Sequence, residues 1–153
     1  MVSGKMIAVI DDDADDRFFV EDTFQLVGYR GPFRQFENGP QFMEFLHQTA
    51  NVDLPTLIFL DLNMPVIEGK EILKELKRMD KWSHIPVIVF TTAISDIEKK
   101  LCMQMGASSY ITKPTGLDAM KDLVKSISLL FSIPLQAAEA EYSKTNETSA
   151  LYV

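Results

Sequence analysis

The chain alternates short apolar runs with longer segments in which apolar side chains recur every three or four residues. Four runs are predicted as strands, at residues 5–10, 56–60, 87–90 and 109–112. Apolar runs without polar alternation are typical of strands buried on both faces of a parallel sheet. A fifth, weaker strand is predicted at residues 32–36, where Pro32 favours the edge of the sheet.

Helical periodicity follows each strand. The first helix is predicted over residues 15–27 and ends at Gly28, the second opens at Gly39 and Pro40, and the third covers residues 69–79. With two further helices, the chain contains five strand–helix units. Units of this kind, joined by right-handed crossovers, predict an α/β fold with a doubly wound, five-stranded parallel sheet.

The last two helices begin at N-capping sequences, in which Ser95 precedes Glu98 and Thr115 precedes Asp118. The apolar residues that share one stripe on the fourth helix are Ile97, Leu101 and Met105. The fifth helix ends before Pro134. Its predicted buried stripe consists of Leu117, Met120, Val124, Ile127 and Phe131.

The length of 153 residues suits one domain with an ordinary hydrophobic core. We expect the folded domain to cover residues 1–133. Residues 134–153 are rich in Ala, Glu, Ser and Thr and offer little apolar surface to bury. They are therefore predicted to form a mobile tail.

Charge and cysteine content exclude several classes of protein. The net charge of −7 argues against a nucleic-acid-binding surface, which would have to neutralise phosphates. Cys102 is the one cysteine of the sequence, so no internal disulfide can form and a reducing compartment is expected. No apolar stretch approaches the roughly 20 residues of a membrane span, and the first strand leaves no room for a signal peptide. We therefore expect a cytoplasmic protein.

Polar residues follow the predicted strands at their carboxyl ends. Three aspartates, Asp11, Asp12 and Asp13, follow the first strand, and Asp61 follows the third. Since the carboxyl ends of parallel strands share one edge of the sheet, these carboxylates are predicted to lie close together. Aspartates at this density repel one another unless a divalent cation lies among them. The next two strands end at Thr91 and Lys113.

This combination is the chemistry of a magnesium-assisted phosphoryl site. The ionised carboxylate of Asp61 is the predicted nucleophile, and Asp12, Asp61 and the backbone carbonyl of Asn63 are predicted to bind Mg²⁺. Lys113 and the hydroxyl of Thr91 suit the remaining phosphoryl oxygens. An aspartate after a strand is more often a helix N-cap, and Asp13 and Asp15 suit that role. The joint placement at four strand ends favours the functional interpretation.

These residues resemble the receiver domain of two-component response regulators. The segments that show the resemblance are Val9-Ile10-Asp11-Asp12-Asp13, Phe59-Leu60-Asp61-Leu62-Asn63-Met64-Pro65 with Gly69, residues 86–92, and Gly106-Ala107-Ser108-Ser109-Tyr110-Ile111-Thr112-Lys113-Pro114. The resemblance covers about residues 5–132. It implies a flavodoxin-like sheet with strand order 2-1-3-4-5. Trp82-Ser83-His84-Ile85-Pro86 and the doubled Thr91-Thr92 further resemble stand-alone receivers that serve phytochrome-type or hybrid sensor kinases.

The resemblance implies partners for the predicted site. Asp61 would accept a phosphoryl group from a sensor histidine kinase or a phosphotransfer protein. Asp11 and Asp12 would hold Mg²⁺, together with Asp61 and Asn63. Beyond slow self-phosphorylation and self-dephosphorylation, no enzymatic activity is expected.

The resemblance also implies a switch. Thr91 and Tyr110 would be the switch pair, and Lys113 would contact the phosphoryl group. The bond between Lys113 and Pro114 is expected to be cis, as in that family. Phosphorylation would alter a face formed by the fourth helix, the fifth strand and the fifth helix, which would then bind a separate protein or a second copy of the chain.

Two other classes of protein have related requirements at these positions. A haloacid-dehalogenase-type magnesium phosphohydrolase also uses a strand-end aspartate, but it requires a second acid two residues later, where this chain has Asn63. A flavodoxin-like FMN carrier needs a phosphate loop rich in Ser, Thr or Gly after the first strand. Here that loop is acidic. Both alternatives are disfavoured.

Overall fold

The five predicted strands form one parallel sheet in the computed structural model, which describes residues 6–136. The strands are β1 (Ile7–Ile10), β2 (Phe33–Phe36), β3 (Leu57–Leu60), β4 (Val87–Thr91) and β5 (Ser109–Thr112). Their order is β2-β1-β3-β4-β5 and every neighbouring pair is parallel. The predicted order and the edge position of β2 are confirmed.

A helix follows each strand, as predicted. The helices are α1 (Ala14–Leu26), α2 (Gly39–Gln48), α3 (Gly69–Arg78), α4 (Asp96–Gln104) and α5 (Leu117–Leu130), with a short 3-10 turn at Asn51–Asp53. Asn38 caps α2, since its side chain accepts a hydrogen bond from Gln41 N over 2.9 Å. Within residues 6–136, every helix is too short or too polar to cross a membrane.

The chain divides into two compact units. The first contains residues 6–18 and 31–113, and the second contains residues 19–30 and 114–136. All five strands, the helices α2, α3 and α4, and every predicted site residue except Pro114 belong to the first unit. The described part of the predicted tail is residues 134–136, and residues 137–153 lie outside the described residues.

The core of the first unit lies between the sheet and its helices. Alternate residues of the strands, among them Ala8, Ile10, Ile58 and Leu60, join the buried residues of α2 and α3 in one cluster. The other strand residues are buried as well, on the opposite side of the same pleat: Ile7, Val9, Leu57, Phe59, Ile88 and Phe90. The sheet is therefore buried on both faces, as its continuous apolar runs predicted.

The second unit is stabilised by contacts within and between its two chain segments, residues 19–30 and 114–136. The ring of Phe24 packs edge-on against Tyr29, with centroids 5.7 Å apart. Gly28 has φ 107°, a conformation that favours glycine, and it ends α1 as predicted. Its carbonyl accepts a hydrogen bond from Gln136 N over 2.9 Å. This bond joins the end of the α1 segment to the end of the α5 segment.

The stripes predicted on the last two helices are less buried than expected. On α4, Ile97 is 85% exposed and Leu101 is also exposed, while Cys102 is buried instead. On α5, Met120, Val124 and Ile127 are buried as predicted, but Leu117 is 46% exposed and Phe131 is half-buried. Helical periodicity identifies residues that share a face, but it does not say whether another element covers that face.

Two local predictions at the start of α5 are wrong. Gly116, and not Thr115, occupies the N-cap position, and no side chain caps the helix there. The Lys113–Pro114 bond is trans, since no cis peptide bond occurs within residues 6–136. Trans is the ordinary state of a proline bond, favoured by about 0.5–1 kcal/mol. The cis expectation came from resemblance and had no independent basis in this chain.

Candidate phosphoryl site

Three carboxylates converge at the carboxyl edge of the sheet. Ile10 of β1 lies opposite Leu60 of β3, so Asp11 and Asp61 leave the sheet side by side. Asp61 N donates a hydrogen bond to the carbonyl of Ile10 over 3.0 Å, which holds this register one residue further. One oxygen from each of Asp11, Asp12 and Asp61 lies within 4.8 Å of the others. The predicted carboxylate cluster is therefore present.

Lys113 reaches the same cluster from β5. Thr91 lies opposite Thr112, and Lys113 N donates to the carbonyl of Thr91 over 2.8 Å. The ammonium group lies 2.7 Å from Asp11 Oδ2 and 3.9 Å from Asp61 Oδ1. Lys113 thus bridges the two buried carboxylates, with its shorter bond to Asp11.

Burial and mutual repulsion make Asp61 a weaker acid than usual. Its side chain is nearly buried, and the residue is 6% exposed. Burial, followed by the negative charge of Asp11, raises the pKa of Asp61 to about 6 from an ordinary 3.8, although Lys113 and the backbone N–H of Asn63 act in the opposite direction. A cation beside Asp61 would stabilise its ionised form.

The pKa of Asp11 is also raised, chiefly by burial, although its hydrogen bonds with Lys113 and Asp13 N oppose this. Lys113 shows the complementary effect. Burial alone would lower its pKa, but hydrogen bonds to Asp11 and Asp16 raise it. The lysine is therefore held in its charged form among the carboxylates.

The predicted switch residues lie on the neighbouring strands β4 and β5, two positions apart in register, since Tyr110 lies opposite Val89. Thr91 is completely buried, and its Oγ1 accepts a hydrogen bond from Ala93 N over 3.3 Å. Tyr110 is half-buried, and its hydroxyl donates to Glu98 Oε1 over 2.8 Å. A weaker contact of 3.4 Å joins the same hydroxyl to the carbonyl of Ala93. Ala93 therefore contacts both predicted switch side chains.

The loop from β3 to α3 begins at the site. Asn63 is exposed, and its N–H donates a long bond of 3.5 Å to Asp61 Oδ1. Gly69 closes the loop, because its N–H donates to the carbonyl of Leu62 over 3.1 Å. A Cβ at Gly69 would overlap the carbonyl oxygen of Asp61 and lie 2.7 Å from Leu62 Cα. Glycine at position 69 is therefore required for α3 to start beside Asp61.

The model of the response regulator receiver domain family matches residues 7–125. The chain belongs to this family.

The similar proteins include stand-alone receivers. The response regulator Rcp1 of Synechocystis is 30% identical over 135 residues, which are 86% of this chain and 90% of Rcp1. A structure of Rcp1 in its Mn(2+)-bound form has 28% identity and a TM-score of 0.73 over 87% of this chain and 99% of that one. The phosphorylated cyanobacterial phytochrome response regulator RcpA has 27% identity and a TM-score of 0.75 over 84% of this chain and 94% of that one.

Membership in this family confirms the general interpretation of the sequence. As a receiver domain, the chain is a phosphoacceptor of two-component signal transduction. The family match accounts for the arrangement of strand-end aspartates, threonine and lysine.

The receiver domain has two further residues at the site that sequence patterns did not single out. Asp16 Oδ2 lies 2.8 Å from Lys113 Nζ, so the lysine has two short acidic partners. Arg17 donates from its guanidinium to the carbonyl of Asp11 over 2.7 Å and to Gln35 Oε1 over 3.3 Å. Both lie in the first turns of α1, where Asp13 Oδ1 accepts from the N–H groups of Asp15 and Asp16 as an N-cap. Acidic residues in a first helical turn are common, and that signal alone could not separate Asp16 from Asp15.

The donor set of the receiver domain fits a hard divalent cation. Carboxylate oxygens at this spacing are the ligands that Mg²⁺ and similar ions prefer, with water completing the coordination. Asp12 is exposed and available to an ion, whereas Asp11 already shares its oxygens with Lys113 and Asp13 N. Burial, followed by the charge of Asp11, raises the pKa of Asp61, and a cation among the carboxylates would act in the opposite direction.

Proposed function

We propose that this receiver domain accepts a phosphoryl group on Asp61, from a sensor histidine kinase or a phosphotransfer protein, with Mg²⁺ as the metal ion. The observation that supports this most strongly is the nearly buried carboxylate of Asp61 within 4.8 Å of two other carboxylate oxygens and 3.9 Å from Lys113. In-line transfer requires a nucleophilic oxygen, a cation and fixed donors in one place. Asp61 would be the nucleophile, the three carboxylates would hold the cation, and Lys113 and Thr91 would be the fixed donors.

The proposed reaction forms one bond and breaks one. An oxygen of the ionised Asp61 attacks phosphorus, the bond to the donor nitrogen or oxygen breaks, and that donor leaves with the electron pair. A bound Mg²⁺ would supply neutralisation of charge on the phosphoryl oxygens. Lys113 would donate to one of these oxygens. To do so, it would give up part of its bonding with Asp11 and Asp16. The hydroxyl of Thr91 would donate to another.

The proposed ligands of Mg²⁺ are Asp12, Asp61 and the backbone carbonyl of Asn63, with Asp11 acting through a bound water. The exposure of Asp12 and the prior bonds of Asp11 support this division. The raised pKa of Asp61 supports it as well, because a cation among the three carboxylates would relieve their repulsion. The Mn(2+)-bound structure of Rcp1 supports a divalent ion at such a site.

We further propose that Thr91 and Tyr110 transmit the change. Phosphorylation adds roughly −1.5 to −2 charges and three acceptor oxygens at Asp61. The Thr91 hydroxyl would turn towards them and release the N–H of Ala93. Tyr110 would then leave Glu98 and occupy the space beside Thr91. The shared contact of both side chains with Ala93 supports this coupling.

The proposed output surface includes α4 and β5. Apolar side chains on and before α4 are exposed, namely Ile94, Ile97 and Leu101. Exposed apolar clusters mark protein-binding surfaces more often than chance. The partner would be a separate protein or a second copy of the chain that prefers the phosphorylated state. A cytoplasmic location and an activity limited to slow self-phosphorylation and self-dephosphorylation complete the proposal.

Beryllofluoride with Mg²⁺ tests the proposal by amide NMR, since beryllofluoride mimics an aspartyl phosphate. We expect shift changes at Asp61, Thr91 and Lys113 that extend into α4 and β5. The Asp61→Asn variant should show none of them. Asp13→Asn is the matched control, because asparagine also caps a helix and Asp13 is outside the carboxylate cluster. A full response in Asp61→Asn would refute the assignment.

A further inference from the structure

A groove between α2 and α3 lies outside the phosphoryl site. It has a volume of about 460 Å³ and is lined by Met43, Val66, Ile67, Glu68, Glu71, Ile72 and Glu75. Its apolar residues come from α2, from the loop after β3 and from α3. Its acidic residues all come from α3 and its N-cap. The groove therefore combines an apolar floor with an acidic border.

The floor of the groove is held in a fixed shape. Ile72 is buried, and Ile67 and Met43 are packed against the same hydrophobic core. A Cβ at Gly39 would lie 2.7 Å from Ile72 Cδ1 and 3.2 Å from Ile67 Cβ. The first turn of α2 is therefore in close contact with both isoleucines, which limits their movement. A partner would meet a preformed apolar surface, and preformed surfaces lower the entropic cost of binding.

Val66 forms one end of the groove in a strained conformation. It has φ 73°, a left-handed conformation that is a genuine outlier for a β-branched residue. It is also 89% exposed, so packing against the core does not account for a valine at this position. Strain that local packing does not explain is found most often at functional sites.

Two of the basic side chains of α3 are bonded to groups outside the groove. Of the basic residues, Lys70 pairs with Glu98 over 3.2 Å, and Lys77 donates to the carbonyls of Ser83 and Ile85 over 3.0 and 2.8 Å. These two lysines are thus engaged within the molecule, whereas Lys74 is exposed. The acidic face of α3 and its N-cap consists of Glu68, Glu71 and Glu75, which line the groove.

The acidic face is only partly neutralised. Glu75 pairs with Arg78 over 2.6 Å. Within residues 6–136, neither Glu68 nor Glu71 forms a salt bridge. Both glutamates border the apolar floor. The groove therefore presents negative charge beside apolar surface and is suited to a partner with the complementary pattern.

We propose that this groove, defined by Met43, Val66, Ile67, Glu68, Glu71 and Ile72, binds an amphipathic helix of another protein that has an apolar stripe bordered by lysine or arginine. The apolar side chains would lie on Ile67, Ile72 and Met43, with Val66 at the end of the stripe. The basic side chains would pair with Glu68 and Glu71. Helix-in-groove recognition of this kind depends on a few apolar anchors and flanking charge.

The binding test uses a fluorescein-labelled helical peptide of leucines along one face and lysines along the other. Fluorescence anisotropy is recorded at an ionic strength of about 0.15 M, where nonspecific attraction is screened beyond about 8 Å. We expect Glu68→Gln with Glu71→Gln to weaken binding by about tenfold or more. The matched control is Asp118→Asn with Asp122→Asn, which removes the same charge from exposed positions of α5 and should change binding less than about twofold.

Val66→Gly separates a binding role from a structural one. Glycine adopts φ 73° without strain, so the variant should fold with a Tm at or above that of wild type. If Val66 contacts the partner, the same variant should still bind the peptide about fivefold more weakly. A loss of Tm with unchanged affinity would assign Val66 a purely structural role and count against the proposal.

Other outcomes identify other sites. A scrambled peptide of the same composition that binds equally well would show simple charge attraction and overturn the proposal. Loss of binding in Ile97→Ser would place the peptide on α4 instead. Concentration-dependent sedimentation of wild type that Val66→Asp abolishes would make a second copy the occupant. Peptide-induced amide shifts centred on Met43 and residues 66–72 are the positive result.

Discussion

The hydroxyl of Tyr110 donates a hydrogen bond of 2.8 Å to Glu98, whose other carboxylate oxygen lies 3.2 Å from Lys70 Nζ. The predicted switch tyrosine is therefore attached to α4, and α4 is attached to α3. Burial, followed by the hydrogen bond and charge of Glu98, raises the pKa of Tyr110 to about 12. In the proposed switch, the ring of Tyr110 would have to give up its hydrogen bond to Glu98 before it turned towards Thr91.

Glu98→Ala should release Tyr110 and favour the active orientation. A hydrogen bond to a charged acceptor contributes about 1.5–3 kcal/mol, so we expect the rate of phosphorylation by phosphoramidate to rise by about tenfold or more. Lys70→Ala removes the ion pair but keeps the hydrogen bond, and it should have a much smaller effect, since such pairs contribute about 0–1 kcal/mol. Equal rates in wild type and Glu98→Ala would show that this bond does not restrain the switch.

Asp61→Asn should abolish phosphate labelling and leave the fold intact. The amide cannot act as the nucleophile, and removing one charge relieves repulsion within the carboxylate cluster. The metal-free variant should therefore melt no lower than wild type at pH 7. Intact-mass spectrometry after incubation with phosphoramidate and Mg²⁺ measures labelling, with Asp13→Asn as the control. Full labelling of Asp61→Asn, or a Tm well below wild type, would contradict the assigned role.

The raised pKa of Asp61 predicts a pH dependence of stability. The folded state binds a proton at pH about 6 and the unfolded state near 3.8, so the folded state holds more protons between these values. The free energy of unfolding should therefore fall as the pH rises from 3.8 to about 6, by about 3 kcal/mol at most. Urea unfolding in EDTA from pH 4 to 7 should show this decline in wild type. Asp61→Asn should flatten it, and an unchanged slope would exclude Asp61 as the source.

Mg²⁺ affinity should depend more on Asp12 than on Asp11. Asp12 is exposed and is proposed to contact the ion directly, whereas Asp11 is bonded to Lys113 and Asp13 N. Calorimetry should show a loss of about a hundredfold for Asp12→Ala and about tenfold for Asp11→Ala. Asp13→Asn should bind Mg²⁺ as wild type does. Unchanged affinity in Asp12→Ala would refute the proposed coordination.

Thr91→Ala should accept phosphate but transmit it poorly. Alanine lacks the hydroxyl that would give up its contact with Ala93 N and donate to a phosphoryl oxygen instead. We expect labelling to persist, while the phosphorylation-induced amide shifts across residues 95–131 shrink. Thr91→Ser keeps the hydroxyl and should retain most of the response. The same shifts in Thr91→Ala as in wild type would rule out this switch.

Local pattern was sufficient for the sheet and for most of the site. Continuous apolar runs predicted the buried strands, and Ser95 predicted the cap of α4, whose Glu98 N–H donates to Ser95 Oγ over 3.2 Å. Strand-end positions predicted the meeting of Asp11, Asp12 and Asp61. These features follow from periodicity and from the shared edge of parallel strands, which sequence encodes directly.

Side-chain partners were decided by the tertiary structure. The two shortest bonds of Lys113 are to Asp11, which follows β1, and to Asp16, which lies in the first turn of α1. Trp82 lies in the connection between α3 and β4, and the tertiary structure buries it fully there, with its ring 4.9 Å from that of His47. Such pairings join residues far apart in sequence, so no local pattern reports them.

The sequence by itself determined which residues form strands and helices, because local spacing and capping act within a few residues. It also placed the aspartates, Thr91 and Lys113 at one edge. Only the tertiary structure decided which apolar stripes are covered, because burial depends on what the remaining chain places against a surface. Exposed Ile97 on α4 and strained, exposed Val66 beside an acidic groove are consequences of that placement.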